Sequence, residues 1–280
     1  MSCATKVRRS GGGIARRGLT ARLSRVRHVV MDMDGTIYCG GRLFETTIPF
    51  LKTLESLGIS YSFLTNNSSK SAADYVGKLS SMGVRIDRGQ LCSSTLFAAD
   101  HMRRNFPQVR KLFVLGTESM KLELCAGGYE IVNTMPDAVV VGYDTELSYD
   151  KLCRAAYWLS EGALFVSTHP DRYCPTNVPE FMAIDCGWMT EFLERVSGRK
   201  SLVLGKPSTE ILEYATRRHG VSPQETAMAG DRYDTDIRMA ISAGAFSVHV
   251  SVSRPSHSLA PDMTVPDLSV FGQALKEANQ

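Results

Sequence analysis

The pentapeptide Asp32-Met33-Asp34-Gly35-Thr36 directly follows an apolar run, Val29-Val30-Met31. Such a run favours a buried strand, and the glycine lets the chain turn at its end. Side chains two residues apart in an extended segment point the same way, so Asp32 and Asp34 should share one pocket. Two close carboxylates repel each other, which favours a bound cation or a proton held by one of them. Taken alone, the segment also fits a plain strand and turn.

Three further apolar runs end in polar residues in the same way. They are Ser62–Asn67, which ends in Thr65, Asn66 and Asn67; Val203–Pro207, with Lys206; and Ala227–Asp236, with Asp231, Asp234 and Asp236. In open α/β sheets, ligands bind at the carboxyl ends of the strands. The four segments therefore predict one polar site at a single sheet edge.

Strand and helix patterns alternate along the chain, which is typical of an α/β protein with a doubly wound parallel sheet. The predicted strands are Arg27–Met33, Ile59–Leu64, Lys111–Leu115, Asp137–Val141, Ala163–Ser167, Leu202–Leu204, Thr226–Ala229 and Phe246–Val250. The predicted helices are Ile48–Leu57, Ser68–Met82, Glu118–Cys125, Ser148–Ser160, Gly187–Val196, Thr209–His219 and Thr235–Ala243.

Asn67 of the second polar segment and Lys206 of the third are separated by the 138 residues 68–205. A whole βαβ unit needs only about 30 residues. We therefore expect an inserted α/β domain over residues 95–200, on a core formed by residues 26–94 and 201–280. An insertion above the strand ends would exclude water from the site.

The net charge of +3 is unevenly distributed, because residues 1–28 carry eight basic side chains and no acid. The remaining chain has 24 basic and 29 acidic residues, a net charge of −5. The basic excess thus belongs to the N-terminal tail, residues 1–25, which contains Gly11-Gly12-Gly13 and is predicted to be disordered. Arg-rich, acid-free N-termini are also typical of organelle transit peptides.

The chain is expected to be soluble and cytoplasmic, because no apolar stretch approaches the ~20 residues that span a bilayer. Its seven cysteines are scattered and form no C-x-x-C pair. Reduced thiols are therefore expected, with neither a zinc site nor a redox pair.

The four polar segments, in this order, resemble the motifs of the haloacid dehalogenase-like phosphatases. Within them the chain is similar to the branch of p-nitrophenyl phosphatase, phosphoglycolate and pyridoxal phosphate phosphatases and NagD-type nucleotidases, from about Val26 to Leu275. The resemblance implies a Rossmann-like core with a large α/β cap. It also implies Mg²⁺-dependent hydrolysis of a small phosphorylated metabolite through a phosphoaspartate, and a homodimer through the cap.

The resemblance assigns the chemistry to four aspartates. Asp32 would attack phosphorus, and Asp34 would protonate the leaving alcohol and then activate water. Mg²⁺ would bind Asp32, the backbone carbonyl of Asp34 and Asp231, with Asp236 orienting a metal-bound water.

Phosphate binding is implied for the second and third segments. Thr65 and the backbone N–H of Asn66 would bind phosphoryl oxygens, at a turn expected to lead into a helix start. Asn67 would reach the same oxygens or hold the loop. Lys206 would offset the negative charge of Asp32 and of the phosphoryl group.

The segment Thr168–Pro175 resembles the family's substrate-specificity loop, so Asp171, Arg172 and Tyr173 are expected to contact the leaving group. The common family form begins Thr-Asn-x-Asp, and His169 departs from it. A structural role and a substrate contact both remain open for His169. Arg232 and Tyr233, which follow Asp231, would either line the pocket or brace the turn.

Two other functions compete with a phosphatase. A phosphomutase of the same superfamily shares Asp-x-Asp and the lysine but carries a smaller cap after the first motif. Only 28 residues separate Thr36 from Thr65, too few for that cap. A nucleic-acid-associated protein would use the basic N-terminal arm, and its binding would be salt-dependent. Sugar phosphates, phosphoglycolate, pyridoxal phosphate and nucleotides all remain open as substrates.

Overall fold

The structure is a computed structural model that describes residues 12–176, 178–251 and 259–280. The first elements are α1 (Gly12–Leu23), β1 (His28–Met31), β2 (Tyr38–Cys39), β3 (Arg42–Leu43), α2 (Thr47–Ser56), β4 (Ser60–Thr65), α3 (Ala72–Ser81), β5 (Leu91–Ser93) and α4 (Ser94–Asn105). The middle elements are β6 (Lys111–Leu115), α5 (Glu118–Ala126), β7 (Glu130–Ile131), β8 (Ala138–Val141), α6 (Tyr149–Ser160), β9 (Leu164–Ser167), β10 (Tyr173–Cys174), β11 (Ala183–Ile184) and α7 (Cys186–Ser197). The last are β12 (Leu202–Val203), α8 (Thr209–Arg217), β13 (Thr226–Gly230), a π-helix (Tyr233–Ile237), α9 (Arg238–Ala243), β14 (Phe246–Val250), β15 (Met263–Val265) and α10 (Leu268–Ala278).

The core is a six-stranded parallel sheet in the order β15-β14-β13-β1-β4-β5. Alternate residues of β1 face opposite sides, so Val29 packs with α2, α3 and α10 while Val30 packs with α4, α8 and α9. Helices therefore cover both faces of the sheet. This arrangement confirms the predicted doubly wound α/β fold.

The second sheet, which we call the cap sheet, is parallel and has the order β12-β9-β8-β6-β7. One face packs against α6 and α7 through residues such as Val139 and Leu193. The other face, with Val114 and Val140, joins the apolar cluster that contains Val30 of the core. The cap sheet and the core thus share buried apolar surface.

The strand that leads to Lys206 differs from its predicted place in the core. β12 pairs with β9 of the cap sheet, with Leu202 beside Val166. The chain crosses to the core only at Gly205, which has φ +79°. A Cβ at Gly205 would lie 2.6 Å from the carbonyl oxygen of Thr168, so the two segments approach too closely for a side chain.

The N-terminal region also differs from the prediction, because residues 12–23 of the predicted disordered tail form α1. Leu19, Leu23 and Val26 recur at helical spacing and pack against the core cluster. Arg22 forms an ion pair with Asp262. Residues 1–11 of the predicted tail lie outside the described residues. No helix in the described ranges is long and apolar enough to cross a membrane.

His28 of β1 is fully buried at the amino end of the core sheet. Its Nδ1 lies 2.7 Å from Ser60 Oγ and its Nε2 lies 2.9 Å from Ser62 Oγ. The ring stacks on that of His219, with the centroids 4.4 Å apart. Burial lowers the pKa of His28 to about 3, and His219 acts in the same direction. The core therefore holds this imidazole neutral.

Candidate active site

A cavity of about 50 Å³ lies between the carboxyl ends of the core strands and the cap. Its lining comprises Asp32, Asp34, Thr65, Asn66, Asn67, Asp171, Tyr173, Cys174, Pro175, Asp185, Lys206 and Arg232. The space holds only a few water molecules, at roughly 10–15 Å³ each. All four predicted polar segments thus contribute to one cavity together with the predicted cap loop, the fourth segment through Arg232.

Asp32 lies at the end of β1, the central strand, and is almost completely buried. The Nζ of Lys206 donates hydrogen bonds to Asp32 Oδ1 and, at 2.7 Å, to Asp236 Oδ1. Burial by itself would lower the pKa of Lys206, but the carboxylates of Asp236 and Asp32 outweigh it and raise that pKa. Lys206 is therefore a buried ammonium group between two carboxylates.

Three carboxylates converge here on one lysine. Asp32, Asp231 and Asp236 can each offer one oxygen so that the three oxygens lie within 4.8 Å of one another. Burial raises the pKa of Asp32, and the carboxylates of Asp236 and Asp231 add to that effect against Lys206. The cluster therefore carries more negative charge than Lys206 neutralises, which is the condition that favours a bound cation.

The donor set fits Mg²⁺, which prefers hard oxygen ligands. Asp231 Oδ1 is buried and has no hydrogen-bond partner among the described residues, so one oxygen is available to a cation. Gly35, at φ +86°, makes room for this carboxylate, because a Cβ there would lie 2.3 Å from Asp231 Oδ2. The side chain of Asp34 lies outside the three-carboxylate cluster. Metal ligation by its backbone carbonyl stays a prediction.

Asp34 is the more exposed of the two leading acids and faces the same cavity as Asp32. The hydroxyl of Tyr38 donates to Asp34 Oδ2 at 3.1 Å. The Nζ of Lys78 lies 3.9 Å from the centre of the Tyr38 ring. Burial raises the pKa of Asp34, although Lys78 and the Tyr38 hydroxyl oppose it. A carboxyl group with a raised pKa is suited to proton transfer near neutral pH.

Thr65 and Asn67 follow the end of β4 and line the cavity. The hydroxyl of Thr65 accepts the backbone N–H of Asn67 at 3.1 Å. Asn67 Oδ1 accepts from the backbone N–H of Ser69 at 3.0 Å and from its hydroxyl at 2.7 Å. Of the two alternatives for Asn67, this geometry favours holding the loop.

Asn66 links three segments of the chain through its side chain. Its Nδ2 donates to the carbonyl oxygen of Lys206 at 3.0 Å and to Asp171 Oδ2 at 2.9 Å. Its Oδ1 accepts the backbone N–H of Lys206 at 2.8 Å. Asn66 therefore fixes the lysine loop of the core and the first acid of the cap loop.

The predicted helix start beside Thr65 is wrong, because α3 begins only at Ala72. Ser71 forms a capping box with Asp74, which places the first turn there. The backbone N–H of Ala72 donates to the buried carboxylate of Glu123 from α5, at 2.5 Å. An acid of the cap thus lies at this helix N-terminus, and phosphate binding by the α3 N-terminus has no support.

Of the three cap residues expected to contact the leaving group, two line the cavity and one points elsewhere. Asp171 is buried, lines the cavity and forms an ion pair with Arg232 at 3.1 Å. Tyr173 also lines the cavity. Arg172 does not, within the described residues: its guanidinium pairs with Glu191 at 2.6 Å and lies 4.9 Å from the centre of the Trp188 ring. Leaving-group contact by Arg172 therefore has no support here.

The two residues after Asp231 were expected either to line the pocket or to brace the turn, and the structure places them differently. Arg232 lines the cavity, whereas Tyr233 is buried with its ring 4.2 Å from that of His249 and braces the turn. Asp236 is fully buried and accepts the backbone N–H of Arg232 at 3.2 Å. Gly230 allows this approach, because a Cβ there would lie 2.4 Å from that of Asp236.

Asp185 lines the cavity without any prediction from the sequence, whereas Cys174 and Pro175 belong to the predicted cap loop but were assigned no role of their own. Tyr38, whose hydroxyl donates to Asp34, also carried no prediction from the sequence. Tyr38 lies four residues after Asp34, and its only sequence signal is that proximity. Asp185 lies eleven residues beyond Cys174, and only the pairing of β10 with β11 brings the two together.

Comparisons with known proteins agree with this geometry. A model of haloacid dehalogenase-like hydrolases matches residues 29–130, and a second model of HAD-like hydrolases matches residues 203–270. The 5'-nucleotidase YutF of Bacillus subtilis is 31% identical over 85% of this chain and 92% of its own length. The ribonucleotide monophosphatase NagD of Escherichia coli is 29% identical over 80% of this chain and 87% of its own.

A solved structure shows the same fold. The crystal structure of 4-nitrophenylphosphatase from Thermotoga maritima has a TM-score of 0.85 and 33% identity, and the match covers 91% of this chain and 99% of that one. The chain therefore belongs to the haloacid dehalogenase-like hydrolases, and it groups with the phosphatases of that family.

Proposed function

We propose that this protein is a Mg²⁺-dependent phosphomonoesterase that hydrolyses a small phosphorylated metabolite through a phosphoaspartate. The observation that carries the proposal is the placement of Asp32 and Asp34 on one cavity, with the Lys206 ammonium group hydrogen-bonded to Asp32. A nucleophile, a proton donor and a fixed positive charge are the groups that this reaction needs.

In the first step, a carboxylate oxygen of Asp32 attacks phosphorus and the bond from phosphorus to the ester oxygen breaks. Asp34 gives its proton to the leaving oxygen, so the alcohol departs neutral. In the second step, Asp34 takes a proton from water, the water oxygen attacks phosphorus, and the acyl phosphate bond breaks. Lys206 offsets the negative charge near Asp32 in both steps.

Asp32 and Asp231 would hold the metal, together with the backbone carbonyl of Asp34, and Asp236 would orient a water bound to it. When bound, Mg²⁺ supplies positive charge that stabilises the phosphoryl oxygens. Thr65, which lines the cavity, would donate its hydroxyl to a phosphoryl oxygen. Arg232 would face the same group from beside Asp171.

The size of the cavity supports a small ester rather than a nucleic acid as the substrate. Its volume is only about 50 Å³, and Asp171, Tyr173 and Asp185 of the cap line it beside the core residues. The relatives include a 5'-nucleotidase, a ribonucleotide monophosphatase, chloroplastic phosphoglycolate phosphatases and acid sugar phosphatases. Nucleotides, phosphoglycolate and sugar phosphates are therefore the first esters to test.

The mutase alternative loses support from the segment between the first two motifs. In the described residues, 37–64 form only the β2–β3 hairpin, α2 and most of β4, with no domain above the cavity. The test of the proposal is phosphate release from a broad panel of phosphate esters, with Mg²⁺ and with EDTA. Release that is absent for every ester, or transfer of phosphate to a second alcohol in place of water, would refute it.

A homodimer through the cap stays a prediction, with a second copy of this chain as the partner. Trp188, Phe192 and Val196 form one exposed apolar face of α7 at a spacing of four residues. Two antiparallel copies of α7 would set Trp188 against Val196 and Phe192 against its counterpart. Light scattering on the wild type and on Phe192→Asp tests this, since the charge should convert a dimer to a monomer.

A further inference from the structure

His169 departs from the family's usual asparagine, and the structure places it at the centre of a buried charged cluster. The side chain is fully buried behind the cap face of the cavity. Its Nδ1 lies 3.5 Å from Asp171 Oδ2, and its Nε2 lies 3.5 Å from Asp185 Oδ1. Both carboxylates line the cavity, whereas His169 is not among the described residues of the lining.

The cluster continues to the core through Asp171. One oxygen of Asp171 faces His169 and accepts from Asn66, and the other pairs with Arg232 at 3.1 Å. The charges thus alternate along one line, from Asp185 through His169 and Asp171 to Arg232. Arg232 lines the cavity, as Asp171 and Asp185 do, and it is the positive group of this cluster that the cavity exposes.

A phosphate site with two carboxylates on its wall presents an electrostatic problem. Asp171 and Asp185 would repel a phosphate dianion if nothing balanced them. Arg232 alone would neutralise only one of the two, and it would then be held by Asp171 rather than by the substrate. A positive charge at His169 removes the excess.

We propose that His169 is a positioning residue that carries a buried positive charge, balances Asp171 and Asp185, and thereby leaves Arg232 able to attract the phosphate ester. The groups that face the ring agree with this assignment. Burial alone would lower the pKa of His169, but the nearby Cys186, Asp171 and Asp185 raise it to about 9. Ser68 Oγ also lies near the ring, 3.4 Å from Nε2, and accepts the backbone N–H of Tyr143 at 2.8 Å and the hydroxyl of Thr168 at 3.3 Å.

The charge at His169 also affects the pKa values of Asp171 and Asp185. Although burial would raise the pKa of Asp171, His169 and Arg232 hold it well below its usual range. Burial raises the pKa of Asp185, with His169 in opposition. Asp185 is therefore the acid that becomes surplus when the ring charge is removed, and it is the better site for a compensating change.

The kinetic test compares His169→Asn, Asp185→Asn and the double variant. An asparagine at 185 keeps an N-cap for α7, so the helix start is preserved. At pH 7, His169→Asn should raise KM about tenfold, or about 1.4 kcal/mol, with kcat nearly unchanged, because the repulsion acts on ground and transition states alike. Asp185→Asn, which removes a negative charge from the cavity wall, should lower KM, and the double variant should return to near the wild-type KM.

This inference rests on the proposed function for its kinetic measurement, so a second measurement is independent of activity. NMR titration of histidine-labelled wild type, with His169→Asn to assign the signal, should show a His169 ring that stays protonated at pH 7.5. A ring neutral at pH 7, an unchanged KM in His169→Asn, or a double variant as impaired as the single one would each overturn the inference. Loss of all hydrolysis by the wild type would instead refute the proposed function and leave the titration decisive here. If His169→Asn alone does not fold but the double variant does, that result supports the charge balance. The His169 signal of the wild type is then assigned as the histidine signal that the double variant lacks, and its pKa decides the inference.

Discussion

The two faces of the cavity are built in different ways. On the core face, Asp32 and Thr65 follow parallel strands, and Asp32 shares a buried lysine with Asp236. On the cap face, Asp171 lies in an irregular loop, and Tyr173 lies in β10, which pairs with the equally short β11. Tyr173 is 44% exposed. The core face therefore holds the reacting atoms in fixed places, while the cap face can vary with the alcohol that leaves.

The largest expected effect is on the core face. Asp32→Asn should lower kcat by about 10³-fold or more for every ester, because an amide does not attack phosphorus. Steady-state kinetics on p-nitrophenyl phosphate and on the best natural ester measure this, with circular dichroism as the folding control. Turnover within tenfold of the wild type on either ester would contradict the nucleophile assignment.

Removal of the metal should reduce hydrolysis about as much as Asp32→Asn does, but this loss should be reversible. EDTA should abolish hydrolysis and Mg²⁺ should restore it, whereas the larger Ca²⁺, which takes 6–8 ligands, should restore little. Asp231→Asn should raise the Mg²⁺ concentration needed for half-maximal activity. Its matched control is Asp234→Asn, since Asp234 is exposed and pairs only with Arg238 among the described residues. Full activity in chelator would eliminate the metal site.

The effect of substituting Asp34 should depend on the leaving group of the ester and not on the contacts that the ester makes with the cap. Asp34→Asn should cost about 10²–10⁴-fold with an alkyl phosphate, whose alcohol needs a proton. The loss should be clearly smaller with p-nitrophenyl phosphate, because its phenolate leaves without one. Comparing kcat for both esters tests this, and equal losses would count against the proton-transfer role.

On the cap face the effects should be smaller and specific to the ester. Tyr173→Ala should lower kcat/KM for the best natural ester by about tenfold and leave p-nitrophenyl phosphate nearly unchanged, because a small ester makes few remote contacts. Arg172→Ala is the matched neighbour and should change neither, since its guanidinium pairs with Glu191 away from the cavity. A larger loss from Arg172→Ala than from Tyr173→Ala would reverse this assignment.

The two regions should also respond to pH with opposite signs. The pKa of the core His28 falls to about 3 on folding, so its contribution to stability is present above pH 6.5 and lost as the pH falls below it. Linkage puts the loss between pH 7 and pH 5 at about 2 kcal/mol of unfolding free energy. Urea unfolding of the wild type and His28→Gln measures it, since the variant should lack this loss. The cap His169 has a raised pKa, so its contribution should disappear only as the pH rises towards about 9.

The core face could be predicted from the sequence because its geometry follows from strand direction alone. Asp32, Asp34 and Thr65 lie at the ends of apolar runs, and the core sheet brings them onto one cavity. Lys206 reaches the same cavity, although its strand β12 pairs in the cap sheet. The placement of Asn66 at the junction of three segments depends on contacts 105 and 140 residues away, which no local pattern reveals.

The failed predictions share a cause in side chains from distant elements. The start of α3 depends on its own capping box and on Glu123, which is 51 residues away. Arg172 turns from the cavity because Glu191 and Trp188 of α7 lie beside it. For α1, the apolar spacing of Leu19, Leu23 and Val26 was present in the sequence, but it was hidden by the basic residues and glycines around it.

The pairing of β12 with β9 has a consequence for protein engineering. Lys206 stands three residues after the last strand of the cap sheet and directly after the crossing at Gly205, so a cap strand helps to position the ammonium group that serves Asp32. An exchange of caps between relatives that joins the chains near residue 200 would cut through this sheet and pair a foreign strand with the native lysine loop. A junction placed after Pro207 would transfer the cap, its closing strand and the lysine as one unit.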